Sequence, residues 1–127
     1  MPDKHLYEFA IIRVVPRVER EEFINVGVIL CSIKMNFLKC DLQMDRKKLI
    51  ALDPSAEIEL IQIHLDAFAK ICEGKKEGGP IACRNISERF RWLTAVRSSI
   101  IQTSRPHPGI TDNLEETFEQ LFEAYVG

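Results

Sequence analysis

No apolar run in the chain approaches the roughly 20 residues a membrane helix needs. The start, Met1-Pro2-Asp3-Lys4-His5, has neither the basic region nor the apolar region of a secretory signal. These two absences predict a soluble, cytoplasmic protein. Cysteines are few and scattered: Cys31, Cys40, Cys72 and Cys83 show no C-x-x-C spacing, and none stands beside a histidine. A zinc site is therefore not indicated, a reducing compartment argues against a Cys31–Cys40 bridge, and the four read as small buried hydrophobes. Gly78-Gly79 lies outside any G-x-x-x-x-G-K-[ST] spacing, so it is no phosphate loop. Ser98, Ser99 and Ser104 lack a G-x-S-x-G frame, which leaves His107 without a recognisable nucleophile to serve. A net charge of −2 argues against general polyanion binding. The chain also lacks a strand face with interleaved stacking aromatics, so nucleic acid is not the expected partner. No metal or cofactor is indicated, and no motif spacing dictates a reaction.

What is present is enough apolar sequence, 46% of 127 residues, for one domain over residues 1–127 with a real core. The chain is organised around Leu6 to Cys31, two apolar runs separated by the polar knot Pro16-Arg17-Val18-Glu19-Arg20-Glu21-Glu22. In the first run Tyr7, Phe9, Ile11 and Val15 occupy one alternating set and Ala10, Ile12 and Val14 the other, so this strand is expected to be covered on both faces and central in its sheet. Arg13 shares the face of Ile11 and Val15. Pro16 ends the strand. In the second run, Phe23 to Cys31, Gly27 predicts a bulge or a close backbone approach. A two-residue Met35-Asn36 loop would place Cys31 opposite Cys40.

Helices are expected over Asp45 to Leu52 and from Pro54 to about Cys72. Asp53 would cap the second, and Ile58, Ile61, Leu65, Phe68 and Cys72 form its stripe, widened by Leu60, Ala67 and Ile71. Gly74 is its stop. His64 reads as a packed or partly exposed histidine. Asn85 and Glu88 have capping-box spacing for a short helix through Thr94, with Trp92 outside its stripe. Val96 to Thr103 reads as a fourth strand beside the first, Ser104 to Gly109 as a loop, and Asp112 with Glu115 as a second capping box before a last amphipathic helix. The expected class is α+β: an antiparallel sheet of three to four strands with helices packed mainly on one face.

Charge is distributed unevenly. Between Arg84 and Arg105, Arg84, Arg89, Arg91, Arg97 and Arg105 accompany one acid, Glu88, whereas Asp112, Glu115, Glu116, Glu119 and Glu123 in the tail accompany no base. Such asymmetry marks a basic binding face or two solvated surfaces that attract each other.

Several blocks, Arg13-Val14-Val15-Pro16-Arg17-Val18-Glu19-Arg20, Phe23-Ile24-Asn25-Val26-Gly27-Val28, Leu52-Asp53-Pro54, Ser87-Glu88-Arg89-Phe90-Arg91-Trp92-Leu93 and His107-Pro108-Gly109-Ile110-Thr111-Asp112, resemble the bacterial domain-of-unknown-function family 3037. The resemblance implies no activity. Through gene neighbourhood it implies a regulator or partner of a HipA-like kinase.

The residues that carry chemistry are Arg17, Glu19, Arg20 and Glu22 of the knot, Arg89, Arg97 and His107 of the basic block and its sequel, and Arg13, Asn25 and Trp92. Arg13 and Arg97 are expected to meet near the knot beside Asn25, where paired guanidinium groups clamp a phosphate or carboxylate. The alternative is a structural network in which Glu19, Glu22 and Glu88 neutralise the arginines. Exposed arginine beside Trp92 is a composition typical of a protein interface. The expected function is a non-catalytic interaction or regulatory module binding a protein partner; the alternative is a small anion- or nucleotide-binding domain using the arginine cluster.

Overall fold

The computed structural model describes residues 3–126. In chain order it contains β1 (His5–Val14), β2 (Ile24–Ser32), β3 (Phe37–Leu42), α1 (Arg46–Leu52), α2 (Ile58–Glu73), α3 (Ile86–Leu93), β4 (Ile101–Thr103), β5 (His107–Thr111) and α4 (Leu114–Tyr125). The architecture is α+β, with five strands rather than three or four. β1 is central: β2 and then β3 lie on one side of it, and β4 and β5 share the other, all antiparallel.

The two alternating sets of β1 explain this position. Ala10, Ile12 and Val14 join Val26 and Ile29 beneath α1, α2 and α3, where Leu49, Ile61, Leu65, Phe68, Phe90 and Leu93 complete the larger core. Ile11, with Val28 and Leu30 of β2, meets Leu114 and Phe118 of α4 on the opposite face. Each fully buried large side chain contributes roughly 1.5–3 kcal/mol. Three helices therefore cover one face and one covers the other.

Near the end of β1 the pairing slips: Ile12 faces Gly27, but Arg13 faces Asn25. Two residues of β2 then oppose one of β1, the signature of a bulge that adds local twist, while Arg13 stays paired with Gln102 of β4 on its other side. A Cβ at Gly27 would strike the Asp41 carbonyl of β3, so the glycine permits a close strand approach as well.

Local signals were overridden at six places. The β2–β3 loop spans residues 33–36, setting Ser32 opposite Phe37 and Cys40 opposite Ile29 rather than Cys31; Asn36 takes the left-handed φ of 50° that this longer loop needs. Asp53 does not cap α2. It ends α1, and its carboxylate accepts from the Ser55 backbone N–H at 3.0 Å, so α2 begins at Ile58. Leu60 and Ala67 of α2 face outward. The fourth strand shrinks to Ile101–Thr103, because Val96 to Ile100 run as an irregular link. The stretch expected to be a loop supplies β5, where Pro108 sits opposite Glu8 on an edge strand that tolerates a missing donor. Gly109 lies over Tyr7, whose ring a Cβ would hit. Finally, α4 is capped one residue later than expected: Asn113, not Asp112, accepts from the Glu116 N–H. The Asn85 cap of α3 forms as expected, accepting from the Glu88 N–H at 2.9 Å.

Candidate functional site

Three segments gather where β1 ends: the knot, folded into a 3-10 turn over Val18–Arg20; the irregular link of residues 95–100; and the outward side of α2. Between them lie two adjoining hollows. One, of about 630 Å³, is polar and includes Arg13, Glu21, Phe23, Arg97 and Gln102 in its wall. The other, of about 570 Å³, is mainly apolar and is formed by residues that include His64, Ala67, Phe68, Trp92 and Leu93. Val18, Arg97 and Ser98 line both, so they form the saddle between the hollows.

Both arginines of the polar hollow rest on aromatic rings. The Arg13 guanidinium carbon lies 4.2 Å from the Phe23 ring centroid, and that of Arg97 lies 4.3 Å from the Trp92 centroid. Arg97 also donates to the Trp92 carbonyl oxygen. Such stacking steadies a guanidinium plane while leaving N–H edges available as donors. The bulge and the β1–β4 pairing set Arg13 between Asn25 and Gln102, and its Nε is buried without a hydrogen-bond acceptor. Among the described residues, neither Arg13 nor Arg97 lies within 4 Å of a carboxylate, although Glu21 stands in the same wall.

The other candidates are placed differently. Arg17 reaches Asp53 at 3.5 Å and Arg20 reaches Glu22 at 2.9 Å, tying the knot down. Glu19 is exposed on the 3-10 turn. Asn25 donates through Nδ2 to the Tyr125 carbonyl at 3.3 Å, holding the end of α4, and does not line the polar hollow. Arg89 donates to the carbonyls of Arg84 at 2.6 Å and Cys72 at 3.5 Å, closing the C-terminus of α2. His107 packs its ring 5.4 Å from Phe9 on β5. Glu88 does not neutralise a knot arginine but pairs with Arg84 at 3.4 Å. The structure therefore unites Arg13, Trp92 and Arg97, and separates Arg89 and His107 from them.

Phe23, His64 and Val96 belong to the same surface and were not among the sequence candidates. The signal for His64 lay in α2 itself, since positions 60, 63, 64 and 67 form the side that flanks its buried stripe.

Ser99 donates its hydroxyl to the Ile101 carbonyl at 2.7 Å, and no hydrogen bond joins His64 to a serine among the described residues. Burial pushes the Cys31 thiol up to about 11, with Glu8 adding to the effect; a hydrogen bond with Cys72, then burial, raises Cys40. Among the described residues no cluster of three or more metal-ligating side chains forms, and no helix is long and apolar enough to cross a membrane.

The fold defines an α+β domain with a divided cleft at the end of β1. The chain belongs to the family described as "Protein of unknown function (DUF3037)", which matches residues 9–126. No curated protein and no solved structure matches it.

Proposed function

We propose that this protein is a non-catalytic interaction module that binds a protein partner over the divided cleft. One observation carries the reading: large apolar side chains are exposed around the cleft, with Val96 fully so and Phe23 and Trp92 at 46% and 40%, beside two arginines held without carboxylate partners. Aromatic residues and arginine concentrate the energy of protein interfaces, because they bury much area and keep a polar end. An occupant that covers Val96 and Phe23 together with Trp92 spans both hollows, which favours a macromolecule over a small molecule.

Site-specific photo-crosslinking in cells tests this. A photoreactive phenylalanine at position 96 is expected to give a discrete adduct, and the same residue at position 119 on the acidic face of α4 is not. Mass spectrometry then identifies the partner, with a HipA-like kinase as the first identity to check. No adduct at 96, or equal adducts at both positions, overturns the proposal.

A further inference from the structure

We infer that the cleft reads a short segment in which an acidic side chain lies next to bulky apolar residues, the carboxylate entering the polar hollow and the apolar side chains the neighbouring one. This rests on the reading above and adds the chemistry of the partner. Three features point the same way.

The first is charge complementarity. Arg13 and Arg97 converge from β1 and from the link before β4 on one hollow, and among the described residues neither has a carboxylate within 4 Å. Other arginines of the same region do: Arg17 has Asp53 and Arg20 has Glu22. The chain thus pairs acids with the arginines that brace the knot and leaves those facing the hollow unpaired, Glu21 of the same wall lying beyond 4 Å of both. The buried Nε of Arg13 lacks an acceptor, and Gln102 lines the wall beside it. A guanidinium with a protected face and free edges is suited to a planar carboxylate, which accepts two parallel N–H bonds.

The second is adjacency. The hollows share Val18, Arg97 and Ser98, so a charge and an apolar anchor on neighbouring residues of one peptide reach both at once. The third is the mainly apolar wall of the second hollow, where residues such as Trp92, Phe68, Leu93 and Ala67 outnumber the polar His64, Arg97, Ser98 and Ser99, and Ser99 already donates to the Ile101 carbonyl. A nucleobase needs its polar edge matched; an apolar side chain does not. The occupant is therefore a protein segment rather than a nucleotide.

Panning a random twelve-residue phage library on the immobilised protein tests this without presupposing a sequence. Peptides carrying Asp or Glu next to bulky apolar residues are expected to be enriched at least tenfold. Panning on the Arg13→Gln/Arg97→Gln protein should lose the acidic preference and retain the apolar one, and Trp92→Ala should do the reverse. If the double variant fails to give the native far-UV spectrum, Arg97→Gln alone serves, because Arg97 lies on the irregular link. Trp92 is the sole tryptophan, so its emission reports affinity for an enriched peptide directly, with AMP and inorganic phosphate as competitors. No enrichment, enrichment without acids, an acidic preference unchanged by the arginine variants, or AMP binding tighter than every peptide overturns the inference. An adduct at position 96 without an acidic preference would remove this inference and leave the docking surface standing; an acidic preference without that adduct would remove the docking reading instead.

Discussion

Arg17 and Arg20 stand within the knot, and Arg13 and Arg97 flank it from β1 and from the link before β4, yet the two pairs live in different chemistry. Arg17 and Arg20 have carboxylates, at 3.5 Å and 2.9 Å. Arg13 and Arg97 have aromatic rings instead, at 4.2 Å and 4.3 Å. An ion pair already gives a guanidinium charge its counterion, whereas a ring covers its face and leaves its N–H edges and its charge available. The difference separates arginines that brace the chain from arginines available to something else. If it is real, altering the braced pair changes stability, and altering the stacked pair changes binding.

The largest stability effect is expected at Asp53. Its carboxylate is nearly buried, meets Arg17, and accepts from the Ser55 N–H just after α1. Asp53→Ala removes both interactions and leaves a backbone donor without its partner, a loss of about 1–2 kcal/mol. Urea unfolding followed by circular dichroism measures it, and peptide affinity read from Trp92 emission should stay within twofold. A large affinity loss in a folded Asp53→Ala protein would erase the division between bracing and binding.

Much of this arrangement was legible in the sequence. Apolar residues on both alternating sets of β1 required cover on both faces, and that placed the strand at the centre, with the knot at its end. The meeting of Arg13 and Arg97 was expected from a fourth strand over Val96 to Thr103 beside β1; Arg97 reaches the same hollow from an irregular link instead, without Asn25. What was not legible depended on distant partners. Asp53-Pro54 has the local chemistry of a helix start, but Arg17 and the Ser55 N–H engage the carboxylate elsewhere. Pro108 and Gly109 read as chain breakers, yet an edge position beside Glu8 and Tyr7 accepts both. His64 showed only as a residue outside a stripe; it joined the cleft because the link after α3 crosses in front of α2. No spacing rule covers an irregular link of that kind.

Alkaline pH weakens the fold while leaving every guanidinium charged, so it sharpens the comparison from another side. Burial holds Cys31 at about 11, against an ordinary 9.0. The folded chain then keeps a proton that the unfolded chain releases. This contribution to stability is intact below pH 9.0 and is lost as the pH rises through about 11. The urea midpoint should fall over that window, and Cys31→Ala should make the fall shallower. The arginine-dependent binding of an enriched peptide should persist as long as the protein remains folded, because guanidinium does not titrate there.

The smallest effect is expected at the other braced arginine. Arg20 and Glu22 are two residues apart at the edge of the knot, with side chains 58% and 45% exposed, so water screens their attraction and ordering both side chains offsets part of the gain. Arg20→Ala should cost no more than about 0.5 kcal/mol, and less in 0.5 M salt than at low ionic strength. The Arg20→Ala, Glu22→Ala double variant should match either single variant within error in urea unfolding. Its affinity for an acidic peptide is the sharper reading. If Arg20 only holds the knot against Glu22, the affinity is unchanged; if it falls as far as in Arg97→Gln, Arg20 leaves its carboxylate for the ligand, and the cleft has three arginines rather than two.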